Sequence, residues 1–217
     1  MLPYSSEVLF TLYERYLHAW LPYNAGVCAA MLLACVLIWS RLTLLRRIAC
    51  LSLACGWLWV GVVFHYGYAA QIDFSARLYA ALFVIQGVAL LVYAIARPCP
   101  RYQWPSDARA VIALVLIAWS VGIYPVMDIV SGHAVGTPRL VGLAPTPTAI
   151  LTLGLWFGVR ESIPRTLFVI PLIWCLIAGF TGWVLHDPAD LFSPLAAIAA
   201  LFLLRRRQTV RPMTPRR

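Results

Sequence analysis

Residues 75–96 read SARLYAALFVIQGVALLVYAIA, an apolar run interrupted by one arginine near its start. A helix needs about 20 such residues, at a rise of 1.5 Å each, to cross a hydrocarbon core. Every backbone N–H and C=O must be satisfied inside the segment, because no water is available there. The run recurs. Further apolar stretches lie at 24–40, 45–66, 108–129, 147–159, 164–186 and 188–204, each bounded by Arg, Pro, Asp or Ser, which gives seven expected spans. Composition agrees, with 62% hydrophobic and 12% charged residues and a mean hydropathy of +0.82. The reading is an all-α transmembrane helix bundle forming a single membrane domain over 1–217. Residues 1–23 form an outer interfacial helix, 24–204 the bundle and 205–217 a basic cytoplasmic tail.

Arginine placement tests the span count, because cytoplasmic loops near span ends retain positive charge while translocated loops lose it. Seven spans put Arg41, Arg46, Arg47, Arg97, Arg101, Arg109, Arg160, Arg165 and the six tail arginines on one side. Arg15, Arg77 and Arg139 fall on the other. The expected orientation is therefore N-out and C-in, in a cell inner membrane. The formal charge of +9 is spread over short juxtamembrane loops and the tail. It points to anionic lipid headgroups rather than nucleic acid. The bilayer is the expected partner, with a second copy or another membrane chain as open possibilities. Glu7 and Glu14 precede the first arginine, Arg15, so the start lacks the basic region of a secretory signal and the first helix is expected to be retained.

Residues 6–20, SEVLFTLYERYLHAW, place Val8, Leu12 and Tyr16 with Leu9, Tyr13 and Trp20 near one face and Glu7, Glu14 and His18 elsewhere. That is the pattern of a helix lying in an interface, before the chain turns inward at Asn24. The six cysteines form no CxxC motif and read as packing residues, although Cys28 and Cys35 share a helix face. Gln86 is the one strongly polar side chain expected near mid-depth, where an interhelical hydrogen bond accounts for it. The absence of charged residues at mid-depth argues against a proton pump, a voltage sensor or an ion-coupled carrier. The chain has no lysine, so a retinal Schiff base is excluded. No nucleophile-elbow or HExxH spacing supports a hydrolase.

Polar chemistry gathers on the expected outer face. His18, His65, His133 and His186 map there, with Glu7, Glu14, Asp73, Asp128, Asp187 and Asp190. Two readings follow. His65, Asp128 and His133 could converge on a divalent transition metal, or two imidazoles could hold a haem. Alternatively each histidine caps a helix or sits at the interface. No HxxxH spacing fixes two ligands on one face, so any such site must be assembled from different helices.

The segment GHAVGTPRLVGLAPTPTAILTLG, residues 132–154, joins the expected fourth and fifth spans. Thr146 followed by Pro147 reads as an N-cap and first helical residue, and the helix 147–159 covers only about 20 Å. The non-helical stretch before it must lie at membrane depth or be covered by its neighbours, since bare backbone is not tolerated in lipid. A helix N-terminus aimed into a wet cavity there would offer free N–H groups, with Thr148 and Ala149 as donors. The glycines, Gly142 among them, would let the backbone approach its neighbours. The candidate ligand residues are His65, Tyr124, Asp128, His133, Thr146 and Thr148.

SGH, then TPRLVGLAPTPTAILTLG, preceded by YP and by WLWVGVVFH in the second span, resembles the signature of an uncharacterised bacterial family of small multi-spanning membrane proteins, a domain of unknown function. The resemblance covers most of the chain. That family's loop commonly reads Pro-Cys-Pro-Thr where this chain has Pro145, Thr146, Pro147 and Thr148. The exchange removes a thiol and keeps a hydroxyl at 146. The resemblance implies a membrane bundle and no activity. Three classes of function follow from the residues: binding or transport of a small polar ligand or metal ion in an outer-facing pocket, a structural or accessory subunit, or a haem-binding redox subunit.

Overall fold

Long apolar runs with good helix formers become helices, and among the described residues of the computed structural model there is no strand. Residues 3–97, 99–100, 108–132, 138–159 and 163–209 are described, the side chains of 108 and 205–209 excepted. The helices are α1 (Ser6–Ala19), α2 (Leu21–Leu37), α3 (Thr43–Trp59), α4 (Ala76–Ala96), α5 (Ala108–Ala118), α6 (Tyr124–Val130), α7 (Pro145–Phe157), α8 (Thr166–Leu185), α9 (Pro188–Leu191) and α10 (Ser193–Thr209). Two wide, π-helical stretches extend this series: α3 continues through Val60–Tyr66, and Trp119–Ile123 joins α5 to α6.

Four segments are long and apolar enough to cross a membrane: Thr43–Gln71, Ala76–Ala96, Arg109–Val130 and Thr166–Leu185. A fifth arises if α1 and α2, bent by 95°, count as one broken span, and Pro188–Leu204 is a shorter apolar helix. Among the described residues, four or five segments are thus of membrane length, where the sequence reading counts seven apolar spans.

The difference is clearest at α7. All thirteen of its residues are buried, against α3, α5, α8 and α10 and the stretch Trp119–Ile123. A helix apolar on every side belongs inside its protein, where it meets neighbouring helices instead of lipid and needs no membrane-matching length. Covering by neighbours also resolves the irregular stretch before it. From Arg139 to Ala144 the backbone is buried or half-buried under α1, α2 and α3. Gly142 makes this possible, having φ +79°, with Met31 Cγ and Val27 Cγ1 of α2 only 2.7 and 3.1 Å from where a Cβ would stand.

Gln86 behaves as expected: its Nε2 donates to the Leu167 carbonyl at 2.9 Å and ties α4 to α8. At the start of α3, buried Arg46 donates to the carbonyls of Ser40 and Arg41 at 2.9 Å and of Cys99 at 3.3 Å, closing that end of the bundle. The opposite end is closed by α1. Its buried side is Phe10, Leu12, Tyr13, Tyr16 and Leu17, while Val8 and Trp20 are exposed. The stripe is rotated from the expected one because α1 lies on the protein itself, with Tyr13 stacked on Phe64 at 4.3 Å. Asn24 secures the bend by donating to the Leu17 carbonyl at 3.2 Å and accepting from Trp59 Nε1 at 3.0 Å.

Candidate functional site

The α1 end collects most of the buried charge, and its centre is a residue that the sequence marked only as an outlier in the arginine distribution. Arg139 is 2% exposed. Its Nε donates to Asp128 Oδ2 at 2.9 Å, its Nη1 to Asp190 Oδ2 at 3.0 Å and its Nη2 to Asp128 Oδ1, while its backbone N–H also reaches Asp128 Oδ2 at 2.9 Å. Asp187 Oδ2 stands 2.7 Å from Nη2, an ion pair whose angle makes no hydrogen bond. The rings of Phe10 and Tyr124 lie 5.0 Å from the guanidinium carbon and that of Tyr13 lies 5.8 Å away. The planar fork of Arg suits this task, since it serves several carboxylates at once and stacks on rings.

Local chemistry positions the partners. The π-helical turn Trp119–Ile123 leads directly into α6, which presents Tyr124 and Asp128 inward. After α8 the chain reverses at His186, φ +57°, and Asp187 caps α9 by accepting from Ala189 N at 3.1 Å. Gly182 lets α9 lie against α8, for a Cβ there would overlap the backbone of Asp190 and Leu191. Asp190 is thereby held inward, accepting from Tyr124 Oη at 2.6 Å.

Beside this hub is a cavity of about 50 Å³ whose wall includes His65, Asp73, Tyr79, Thr146, Trp174 and Asp190, with Tyr4, Leu9 and Tyr13 closing it from the N-terminal side. His65 arrives through the widened stretch Val60–Tyr66 and is 2% exposed. Its ring packs among Phe83, Trp174, Phe64 and Tyr79, at centroid distances of 4.8 to 5.9 Å. Neither ring nitrogen has a hydrogen-bond partner among the described residues. Burial, then the nearby Asp73 carboxylate, hold the Tyr4 phenol well above its ordinary value, so it remains protonated and able to donate.

Of the residues anticipated from sequence, Tyr124 and Asp128 belong to the arginine hub, while His65 and Thr146 face the cavity. Thr148 holds the loop together, accepting from Gly142 N at 2.8 Å and donating to the Ala144 carbonyl at 2.7 Å. Of the expected metal set, His65 faces the cavity and Asp128 lies in the arginine hub, while His133 falls outside the described residues. Asp128 is committed to Arg139, and among the described residues no group of three His, Cys, Asp or Glu stands close enough to hold an ion. The imidazole pair expected for a haem likewise has only His65 in place within the described cavity wall.

The expected cap also differs. The helix starts at Pro145, two residues earlier than the sequence suggested, with Ala144 at the N-cap and no side-chain cap. Thr146 Oγ1 instead accepts from Trp174 Nε1 at 3.2 Å. Because Pro145 and Pro147 have no N–H and the Thr148 N–H bonds to the Ala144 carbonyl, the start of α7 offers few free donors. The sequence reading missed Arg139, Asp187 and Asp190 as one cluster. The signal was present in a lone arginine within a charge-poor loop, facing three acids on the same expected side.

A helical bundle with several membrane-length apolar helices, closed at one end over a cavity in which His65, Asp73 and Asp190 stand among aromatic rings, is the architecture of a polytopic membrane protein. The chain belongs to a family of unknown function, DUF6064, whose pattern matches residues 6–214. Neither the curated proteins nor the solved structures give a match.

Proposed function

We propose that this protein binds a small polar ligand in the cavity beneath α1, on the outer face of a cell inner membrane. The observation that carries this reading is His65. A buried imidazole with two unpartnered nitrogens costs free energy, and a cavity against it is where a partner can be supplied. At roughly 10–15 Å³ for each water-sized position, about 50 Å³ takes three to five non-hydrogen atoms. The outward orientation rests on the arginine asymmetry. A seven-span topology would treat α2, α7 and α10 as short spans within the bundle.

Binding is favoured over passage across the membrane. Along α7, away from the cavity, the buried residues Ile150, Leu151, Leu153 and Leu155 fill the interior and leave no run of polar groups to follow. The test is ligand-dependent stabilisation. Purified protein in micelles is titrated with small solutes (ethylammonium chloride, acetamide, sodium acetate and ethylene glycol) while its melting temperature is recorded. At least one solute should raise it saturably, and His65→Phe should remove that response. No saturable response to any of them would leave the structural-subunit reading in front.

A further inference from the structure

We propose that the ligand of this cavity is a small organic cation, a protonated amine of about three to five non-hydrogen atoms. This rests on the reading of the cavity as a ligand site and specifies what enters it. The first argument is charge. Among the described residues Asp128, Asp187 and Asp190 surround the guanidinium of Arg139, a formal excess of two negative charges beside the cavity, whose wall takes Asp190 and Arg139 from this cluster. All four side chains are nearly or fully buried. Asp73, 8% exposed, adds another carboxylate on the cavity wall, where its Oδ1 accepts from Ser75 N at 2.8 Å. Unbalanced charge in a poorly solvated place is costly, and an entering cation reduces that cost.

The second argument concerns donors. An anion would need several free N–H or O–H groups, and the charged and hub donors near the cavity are engaged, leaving the Tyr4 hydroxyl and the one N–H of a neutral His65. The Arg139 nitrogens serve Asp128 and Asp190, and Tyr124 Oη donates to Asp190. The start of α7 is depleted of donors by its two prolines. Acceptors remain available, because carboxylate oxygens take more than one bond and a neutral imidazole always presents one lone pair. His65 therefore suits an ammonium N–H.

The third argument is the wall. Tyr13, Phe64, Tyr79 and Trp174 line the same space, and aromatic faces attract cations when water is excluded. A hard metal ion would want about six oxygen ligands, and a soft one a His, Cys or carboxylate set that the described residues do not assemble. An amine needs neither: its N–H groups meet Asp190, Asp73 and His65 while its short alkyl part lies on the rings.

The experiment uses the full chain in micelles at constant ionic strength, following Trp fluorescence and melting temperature. Ethylammonium is compared with its neutral analogue acetamide, with acetate and with sodium ion. Saturable binding of ethylammonium, at least tenfold tighter than acetamide and weakened at least tenfold by Asp73→Asn, is expected. Tighter binding of acetamide or acetate would overturn the cation assignment while sustaining the pocket. Competition by sodium as strong as by the amine would overturn it in favour of an inorganic cation. Saturable binding of none would overturn both. The selectivity of the unsubstituted protein decides between these outcomes even where Asp73→Asn fails to fold. His65→Gln, which keeps an acceptor, should retain more amine binding than His65→Phe, a difference that simple filling of space would not produce.

Discussion

Arg139 illustrates how a charge can be placed where almost none is tolerated. Three carboxylates, a backbone carboxylate contact of its own N–H and three aromatic rings surround it, so the desolvation of each ion is offset by several partners instead of one. Removing the cation is then worse than losing one pair, because three buried acids remain. Arg139→Gln should lower stability by about 3–5 kcal/mol. Arg139→Lys should fall between the two, keeping the charge without the fork. Unfolding midpoints in mixed micelles of increasing SDS content check this; a midpoint unchanged in Arg139→Gln would mean that the cluster is not a structural hub. Sequence reasoning located these acids on one face but could not pair them. Their separations along the chain, 11 and 51 residues from Arg139, carry no periodic signal, and only the folding of α6, α9 and the loop brings them together.

At the scale of elements, helix length and irregular backbone are coupled through burial. The sequence correctly exposed a short helix behind a loop that had to be covered, because thirteen residues and a cluster of Gly and Pro are visible without coordinates. What it could not reveal was the agent of the covering. That depends on α2 lying against Gly142, a contact between segments more than a hundred residues apart. Substitution at Gly142 should therefore act on stability rather than on the cavity. Gly142 abuts Met31 and Val27 and does not line the cavity. Gly142→Ala should cost about 1–3 kcal/mol through its positive φ and the clash. The loss should be smaller in a Met31→Ala background, where the steric part is relieved. Fully additive losses in SDS unfolding would show that the approach of α2 is not what makes glycine necessary.

For the whole molecule, amplitude and sign of charge along the chain were more legible than span number. Insertion reads arginines locally along the chain, whereas whether a short apolar helix faces lipid or protein is decided by packing. Among the described residues four segments are of membrane length and α2, α7 and α10 alone are shorter, whereas the sequence reading of the arginines expects an odd total. In a background free of the native cysteines, Thr137→Cys should react with an impermeant reagent added outside. Gln208→Cys should react only after the cytoplasmic side is opened. Labelling of both from one side would remove the seven-span topology and place the cavity elsewhere.

The burial of α7 on every side also bears on how the protein is made. A chain segment enters the bilayer readily when its own side chains are well solvated by lipid over a full hydrophobic thickness. Thirteen residues, two of them prolines in the first turn, fall well short of that thickness. Its favourable surroundings are supplied by α3 and α5, made before it, and by α8 and α10, made after it. Half of the helices that cover the central helix therefore follow it in the chain. Chains ending before α8 would leave it half-covered, a form that quality-control proteases in the membrane are well placed to recognise.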